Sequence, residues 1–417
     1  MTRISILPLA EPGHVNATIR LGRELMDTGH DVRYCGAPVD APLFAARGVA
    51  FHALPRVLGR YGPEYDWRGD PSELALVDSI LYRPTIDAHL AGKRVVSLST
   101  TFPLGYDPEL PPVTSMLAPP RDEHERAEVA AAWRAEHDRH ARVVPNHAHN
   151  YRTDSTLAIL RGFATSRGWP RERLDERAAI NPVARLPELV LAPAQLDLPR
   201  AAGARHYGGP CINLERAEPA FPWERLRAGR PMIYASFGTQ GHRYPLPRAL
   251  GLLLAAARAL PELDVVVATG PHPVSDVPAN AICVPEAPQL ALLQRAALAI
   301  SHGGLNGLKE ALYFGVPILV LPFAWDQPGN AARIAFHRLG RAARWDDLTA
   351  EALAAALRSM LGDETLRGRV ASFAAELQRD HAQPLAARAL AELTPLRACA
   401  PELRARVVEE RLRHAGE

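Results

Sequence analysis

The sequence has few cysteines, no closely spaced cysteine pair and no long apolar run. Its four cysteines are spread between Cys35 and Cys399, without a CxxC pair or the dense spacing of a disulfide-stabilised secreted domain. No stretch approaches the roughly 20 apolar residues that a membrane-spanning helix needs. The first apolar stretch breaks at Glu11 and Pro12, unlike a signal peptide. We therefore expect reduced thiols, no integral membrane segment and a cytoplasmic location.

A strong charge of either sign is also lacking. The 48 Lys and Arg residues nearly balance the 46 Asp and Glu residues, which leaves a formal net charge of +2. A protein that binds nucleic acid along its surface usually has a clear basic excess, so we expect a small-molecule ligand and no nucleic acid. No GxGxxG motif follows the first apolar strand, which argues against a Rossmann dehydrogenase.

Metal-ligand patterns are weak, although the chain has 16 histidines. His137, His140, His147 and His149 lie close together in the sequence, but they form no helical HExxH pattern and have no neighbouring cysteine. We therefore predict no metal site and no resident cofactor.

The length of 417 residues exceeds the usual size of one hydrophobic core and indicates two domains. Residues 4–7 predict a strand, residues 15–28 an amphipathic helix that ends at Gly29, and residues 31–35 a second strand. This is the βαβ unit of a parallel sheet. The alternation of strands and helices continues, is interrupted near residue 209, and restarts beyond Trp223.

The pattern as a whole predicts an α/β protein with two Rossmann-like, doubly wound domains that face a cleft. We predict an N-terminal domain at residues 1–208, a linker at 209–222, a C-terminal domain at 223–395 and a charged helical tail at 396–417. A proline-rich stretch and a charged helix (121–142) interrupt the first domain. Such an insertion after a strand end is typical of a substrate-facing wall.

The densest motif is SHGGLNGLKEAL, which follows an apolar strand and continues into a predicted helix. Gly303 and Gly304 allow a close approach of the backbone to a ligand, and the amides at a helix N-terminus attract phosphate. His302 and Asn306 add hydrogen-bond donors. Glu310, one turn later, is placed to accept from ribose hydroxyls. The motif predicts a nucleotide site.

Two further groups follow strand ends, where ligands of doubly wound sheets bind. Asp326 and Gln327 come after the strand predicted at residues 318–321. His14 lies in the loop between the first strand and the first helix, from which its side chain points into the cleft. Because imidazole titrates near neutral pH, His14 is a candidate general base for a hydroxyl nucleophile.

The block from residue 287 to residue 333, APQLALL and then HGGLNGLKEALYFGVPILVLPFAWDQPGNAAR, resembles the signature of the GT-B family 1 glycosyltransferases. The DQPGNAARI and IYASFGT segments are similar to the bacterial branch that contains zeaxanthin glucosyltransferase and the antibiotic and macrolide glycosyltransferases. GHVNATIRL agrees in order and spacing, so the resemblance covers nearly the whole chain. It implies a GT-B fold and an inverting, metal-independent transfer of a hexose or deoxyhexose from a UDP- or TDP-sugar. The implied acceptor is a hydroxyl of a lipophilic small molecule, such as a polyketide, a macrolide or a carotenoid.

The resemblance also implies residue roles. The first domain binds the acceptor, with His14 as the base and Asp78, at the end of the strand predicted at 74–77, orienting its ring. The second domain binds the donor, with Gln289 at the pyrimidine base and Glu310 at the ribose. The donor-binding residues that it implies are Ser236, Gly238, Thr239, Gln289, His302, Gly303, Gly304, Asn306, Gly307, Glu310, Asp326 and Gln327. Plant members differ by a Trp at Glu286, which stacks on the base, and by a Ser at Gly307.

Two other interpretations stay open. A nucleotide-sugar epimerase of the same fold would use the donor site without an acceptor, but the proline-rich residues 107–120 and the His14 loop speak against it. A catalytically idle partner protein would keep the fold to stabilise another enzyme. The presence of His14, Glu310, Asp326 and Gln327 argues against that interpretation. We expect residues 102–120 and the helix after them to set acceptor choice.

Overall fold

The structure is a computed structural model that describes residues 1–59, 62–142, 155–178, 183, 186–200, 206–238 and 244–394. Thr239, His147, His149 and the predicted tail at 396–417 lie outside the described residues. Cys35, Cys211 and Cys283 are free thiols, and Cys399 is not described.

The first half of the chain forms a seven-stranded parallel sheet in the order β3-β2-β1-β6-β7-β8-β9. Two further strands, β4 and β5, form a separate antiparallel hairpin. The strands are β1 (Arg3–Leu7), β2 (Asp31–Gly36), β3 (Phe51–Ala53), β4 (Arg56–Gly59), β5 (Gly62–Tyr65), β6 (Leu74–Asp78), β7 (Arg94–Ser99), β8 (Glu188–Val190) and β9 (His206–Tyr207). Every residue of β6 is buried, as expected for a central parallel strand that is covered on both faces.

The helices of the first half are α1 (Pro12–Asp27), α2 (Ala41–Ala45), α3 (Tyr82–Leu90), α4 (Glu123–Ala141) and α5 (Thr156–Ser166). α1 begins at Pro12, three residues before the predicted start. Proline suits the first helical position because a backbone N–H there would have no acceptor within the helix. Gly29 follows with a φ of 86°, a left-handed conformation that glycine adopts at low cost. In α4 the side chain of Asp122 accepts from the amide of Glu125 and caps the charged helix.

The second half forms a six-stranded parallel sheet in the order β12-β11-β10-β13-β14-β15. Its strands are β10 (Met232–Ser236), β11 (Asp264–Ala268), β12 (Ala281–Val284), β13 (Leu298–Ser301), β14 (Ile318–Val320) and β15 (Gly340–Ala342). Its helices are α6 (Leu246–Arg258), α7 (Gln289–Leu293), α8 (Leu305–Tyr313), α9 (Gln327–Phe336), α10 (Ala350–Leu361), α11 (Glu364–His381) and α12 (Leu385–Leu393). Two parallel α/β sheets confirm the predicted fold class.

The last helix, α12, packs against the first half of the chain. Ala386 and Leu390 are buried in the core that surrounds β1 and β2. The side chain of Glu24 in α1 accepts from the amide of Ala387 at 3.0 Å, at the start of α12. The prediction placed this stretch with the second domain, within residues 223–395. In the structure this stretch packs on the first sheet, in contact with α1, β8 and β9. Within the described residues, no helix is long and apolar enough to cross a membrane.

Candidate active site

His14 and Asp78 come together at the carboxyl ends of neighbouring strands. β1 and β6 pair in parallel with Leu7 opposite Val77, so the loops that follow them are adjacent. His14 lies in the first turn of α1, and its Nδ1 is 2.8 Å from Oδ2 of Asp78, the last residue of β6. The sequence predicted this pair only from the family resemblance, since 64 residues separate the two positions.

The carboxylate of Asp78 is held rigidly. Asp78 is fully buried, and its oxygens accept from the amides of Leu9 (3.2 Å) and Ile80 (3.1 Å) as well as meeting His14. Thr100 Oγ1 lies 2.7 Å from Nδ1 of His14. Two oxygen neighbours at Nδ1 favour the tautomer with the hydrogen on Nδ1, which leaves the lone pair on Nε2. Among the described residues, Nε2 has no hydrogen-bond partner.

The electrostatics of this pair favour a charged imidazole. Burial of the ring works against the imidazolium, but the charge and hydrogen bond of Asp78 outweigh it, with smaller help from Asp326 and Glu11. The pKa of His14 is therefore raised above its ordinary value of 6.5. A base with a raised pKa binds a proton more strongly once it has accepted one.

His302 directly follows β13, and its ring packs against Gly238 and Gly304. A Cβ atom at Gly238 would come within 2.6 Å of the imidazole, and one at Gly304 within 2.7 Å, so both positions need glycine to make room for the ring. Burial lowers the pKa of His302 to about 4, against smaller opposing effects of the Asp326 charge and of a hydrogen bond with the backbone of Ser236. His302 is thus neutral in the empty site, and its Nδ1 is buried without a hydrogen-bond partner in the described part of the chain.

The start of α8 faces the start of α1, which contains Gly13 and His14. Gly304 is the N-cap of α8, and Gly303, with a φ of 95°, turns the chain into the helix. Asn306 Nδ2 donates to the carbonyl oxygen of Gly13 at 2.5 Å, so the residue predicted to contact phosphate also crosses to the first domain. Gly307 lies in the same first helical turn, whose amides have no acceptor within the helix. Ser236, at the end of β10, is the register partner of Ser301 in β13.

Glu310 and Gln289, predicted to contact ribose and base, lie side by side. Gln289 Nε2 donates to Glu310 Oε2 at 2.5 Å, and Gln289 Oε1 accepts from the hydroxyl of Tyr234 at 3.2 Å. Arg216, which the sequence did not single out, forms a bidentate ion pair with both carboxylate oxygens of Glu310. Arg216 comes from the predicted linker, whose sequence has no periodic pattern that marks such a contact.

Asp326 and Gln327 lie at the start of α9, after β14. Asp326 Oδ2 accepts from Thr101 Oγ1 at 2.7 Å and from Asn330 Nδ2 at 2.9 Å, while Oδ1 has no partner among the described residues. The Gln327 amide is engaged within the protein. Its Oε1 accepts from the amides of Phe323 and Ala324, and its Nε2 donates to the hydroxyl of Tyr244 at 2.7 Å. A sugar contact of Asp326 through Oδ1 is open in this geometry.

A cavity of about 260 Å³ lies beyond the ends of β1 and β6, and neither His14 nor Asp78 is part of its wall. Leu9 and Ile80, whose amides hold Asp78, are part of its wall. The rest of the wall comes from the ends of β1, β2 and β5, from α2 and from the start of α3, and it includes Leu7, Phe44, Tyr65, Leu81, Tyr82 and Arg83. The predicted acceptor wall, residues 102–120, does not line this cavity. Part of it instead docks on α9, where the amide of Gly329 donates to the carbonyl of Val113 at 2.8 Å.

The histidine cluster does not form a metal site in the part of the chain that the structure describes. His137 Nδ1 lies 3.1 Å from the carbonyl oxygen of Glu176, and His140 Nε2 lies 3.1 Å from Glu136. No group of three or more His, Cys, Asp or Glu side chains converges as metal ligands among the described residues. His147 and His149 are outside them.

A buried ion pair that the sequence did not suggest joins the two domains beside this site. Arg333 in α9 is fully buried and donates to Oδ1 of Asp197 at 2.9 and 2.6 Å. Its guanidinium lies over the ring of Phe102, 4.1 Å from the ring centre. Arg200 and Tyr207 hold the second oxygen of Asp197.

Comparison with known protein families gives a match in the second half of the chain. The family model described as erythromycin biosynthesis protein CIII-like, C-terminal domain, matches residues 253–394. The zeaxanthin glucosyltransferase of Pantoea ananas is 30% identical over 322 residues, which are 73% of this chain and 67% of that protein. In other curated relatives the match spans about half of their length.

Comparison with solved structures extends over nearly the whole chain. The glycotransferase of kitacinnamycin has a TM-score of 0.70 at 21% identity and covers 94% of this chain and 99% of its own. The spinosyn rhamnosyltransferase complexed with thymidine diphosphate has a TM-score of 0.61 at 19% identity, with coverage of 94% and 99%. The same rhamnosyltransferase has been solved with spinosyn aglycone. These likenesses show a shared two-domain fold.

Proposed function

Because this chain belongs to the GT-B family 1 glycosyltransferases, of the type found in antibiotic and carotenoid biosynthesis, we propose that it is an inverting enzyme with His14 as its general base. It moves a hexose or deoxyhexose from a UDP- or TDP-sugar to a hydroxyl of a lipophilic small molecule. The observation that carries this proposal is the contact across the cleft: Asn306 of the phosphate-binding motif donates to Gly13, the neighbour of His14.

In the proposed reaction, Nε2 of His14 takes the proton of the acceptor hydroxyl while that oxygen attacks the anomeric carbon. The bond from the anomeric carbon to the diphosphate oxygen breaks as the new glycosidic bond forms. Attack from the face opposite the leaving group inverts the anomeric configuration. Asp78 accepts from Nδ1, holds the ring and stabilises the imidazolium that results, as the acidic member of a triad does.

The departing diphosphate carries the negative charge that develops in this step. The unbonded amides at the start of α8 point their N–H groups at the proposed phosphate position, and the positive end of the helix dipole lies there. The imidazole of His302 adds an N–H donor. We propose that these groups stabilise the leaving group without a metal ion, and that Asp326 Oδ1 accepts from a sugar hydroxyl.

The proposed donor and acceptor classes are supported by a structural neighbour and by a cavity in the first domain. The complex of the spinosyn rhamnosyltransferase with thymidine diphosphate supports a pyrimidine nucleotide in this fold. The cavity lined by Leu9 and Ile80, whose amides bind Asp78, has a largely apolar wall, which suits a lipophilic acceptor. We assign the acceptor to this cavity.

A donor panel tests the proposal. The protein is incubated with UDP-glucose and with TDP-deoxysugars, alone and with carotenoid, polyketide and macrolide acceptors, and products are identified by mass spectrometry. We expect slow donor hydrolysis without acceptor, transfer with at least one acceptor class, and a product anomer opposite to that of the donor by NMR. Epimerised donor without transfer would indicate the epimerase instead. Neither hydrolysis nor transfer across the panel would indicate the idle partner.

A further inference from the structure

The linker between the two domains reaches into the proposed nucleoside site. Arg216 meets both carboxylate oxygens of Glu310, and its Nη2 lies 2.8 Å from Oε2. The Glu310 side chain is only 5% exposed and that of Arg216 is 19% exposed. The two residues are 94 positions apart in the sequence, so this contact joins the linker to α8.

A second linker residue supports the same region. Glu218 Oε1 accepts from the amide of Leu290 at 2.6 Å, and Oε2 accepts from the amide of Ala291 at 3.0 Å. These amides belong to the first turn of α7, whose N-cap residue, Pro288, has no side chain that can cap it. Glu218 therefore caps α7 from the linker, and Gln289, the first residue of α7, is held between this cap and Glu310.

The ion pair leaves one acceptor position of Glu310 unused. A carboxylate accepts about four hydrogen bonds. Arg216 takes one position on each oxygen, and Gln289 takes a second one on Oε2, so one acceptor position remains on Oε1. A nearly buried carboxylate without a cationic partner is costly, and it would turn away or take up a proton. The planar guanidinium of Arg216 donates one hydrogen bond to each oxygen and so fixes the plane of the carboxylate. The ammonium group of a lysine does not fix that plane.

We propose that Arg216 is a positioning residue of the donor site, which holds Glu310 in the orientation that accepts a ribose hydroxyl. Discrimination between ribose and deoxyribose forms of the nucleotide is thus set in part by the linker, outside the signature motif. This inference rests on the proposed function, because it takes Glu310 as the ribose contact. The opposite role, a latch that blocks Glu310 until the donor displaces Arg216, predicts tighter nucleotide binding when Arg216 is removed.

Calorimetric titration with UDP, 2′-deoxy-UDP and 3′-deoxy-UDP separates these roles. We expect the full-length protein to prefer UDP over at least one deoxy form by about ten-fold, the value of one hydrogen bond to a charged group. In Arg216→Gln this preference falls towards one. Arg216→Lys retains part of it, since it keeps the charge and loses the planar guanidinium. Glu215→Gln is the matched control, because Glu215 is the adjacent linker residue, is 78% exposed and pairs with Arg23 instead.

Each outcome has one meaning. An unchanged deoxy preference in both Arg216 variants overturns the positioning role while leaving the glycosyltransferase assignment intact. Tighter UDP binding in Arg216→Gln overturns it in favour of the latch. No binding of UDP or TDP by the unaltered protein contradicts the proposed donor site itself. Thermal unfolding of each variant shows whether it is folded, and if Arg216→Gln is not, Arg216→Lys decides, since an undiminished preference there rejects the inference.

Discussion

At the scale of single residues, the proton acceptor decides the chemistry. His14 has one ring nitrogen engaged by Asp78 and Thr100 and the other without a partner among the described residues. A residue that merely caps a helix has no need of a buried carboxylate whose own oxygens are fixed by two backbone amides. This arrangement matches a base and its orienting group.

We predict that His14→Ala lowers turnover with alcohol acceptors by about 10²- to 10⁴-fold, the range of general base catalysis, and leaves nucleotide affinity nearly unchanged. A phenol that is acidic enough to ionise by itself needs the base least and should lose less. Steady-state kinetics with both acceptor classes, together with calorimetry for nucleotide, measure this. Equal losses for phenols and aliphatic alcohols, or a near wild-type rate, would show that the proton leaves by another route.

Asp78→Asn should change the pH dependence as well as the rate. The rate is expected to rise with pH as His14 loses its proton, because only the neutral imidazole is a base. The charge of Asp78 raises the pKa of His14, so its removal should move this rise to lower pH. The plateau rate should fall, but less than in His14→Ala, since a hydrogen bond to the ring survives. A pH profile of kcat/KM that keeps the wild-type midpoint would separate Asp78 from His14.

The pKa of His302 should rise when the donor binds. Its pKa of about 4 makes it neutral in the empty site, and a bound diphosphate raises that pKa because negative charge stabilises the imidazolium. We expect proton uptake on binding of the nucleotide sugar and tighter binding as the pH falls from about 7 to about 5. Calorimetry in buffers of different ionisation enthalpy measures the uptake. His302→Gln keeps a donor that cannot titrate, so uptake that persists in it must come from another group.

The residues that sequence reasoning found differ in kind from those that it missed. His302, Glu310 and Asp326 lie in one contiguous block, where the motif and the strand ends predict a ligand site. Thr100 and Arg216 reach the site from other segments, and only the folded chain brings them there. Side-chain contacts over such sequence distances leave no local pattern.

At the scale of elements, the ends of parallel strands and the helices that follow them supply the residues of the candidate site. The sequence predicted the central strands and the helix of the first βαβ unit because their apolar periods are clear. It did not predict the short β3 or the hairpin of β4 and β5, since three or four residues carry too little period. It did not reveal that α12 packs on the core of the first sheet, because the amphipathic pattern of a helix does not specify its partner.

The start of α3 should control acceptor size. Leu81, the N-cap residue of α3, lines the cavity, and Leu81→Trp adds volume there. We expect a loss of activity with bulky acceptors, little change with small alcohols and no change in nucleotide affinity. Leu90→Trp is the matched control, because Leu90 ends the same helix and is 49% exposed.

The role predicted for residues 102–120 in acceptor choice is tested in the same assays, by exchanging that segment for the corresponding segment of a relative. If acceptor preference follows the exchanged segment while Leu81→Trp changes nothing, the acceptor lies against that segment and not in the cavity. A shift in donor preference on exchange would contradict the division of roles between the two domains.

At the scale of the whole molecule, the two domains are joined by polar contacts that lie next to the reacting groups. Thr101 donates to Asp326, Asn306 donates to the carbonyl of Gly13, and Gly329 approaches Val113 so closely that a Cβ atom would lie 2.4 Å from its carbonyl oxygen. The placement of the proposed base relative to the donor sugar therefore depends on how the domains meet. The Asp197–Arg333 ion pair is the most buried of these contacts.

This ion pair should make the assembled molecule sensitive to acid. Burial works against the Asp197 carboxylate, but Arg333 and Arg200 outweigh it and hold its pKa at about 2, below the ordinary value of 3.8. A carboxyl whose pKa is depressed by folding stabilises the native state above its ordinary pKa, and this contribution is lost as the pH falls from about 4 to about 2. The depression corresponds to about 2 kcal/mol of the free energy of unfolding.

We predict that Asp197→Asn flattens the fall of stability in that pH range and weakens the protein at neutral pH by about 3–5 kcal/mol, because Arg333 is left buried without a counter-charge. Urea unfolding across the pH range measures both effects, followed by separate probes for each domain, since two domains need not unfold together.

Asp346→Asn is the control, because Asp346 forms an exposed pair with Arg248 and should change little. Asp197→Leu with Arg333→Met removes both charges and should recover much of the loss, since no unpaired ion remains. If Asp197→Asn kept the wild-type acid dependence, another carboxyl would have to account for it, and the contact between the domains would not depend on this pair.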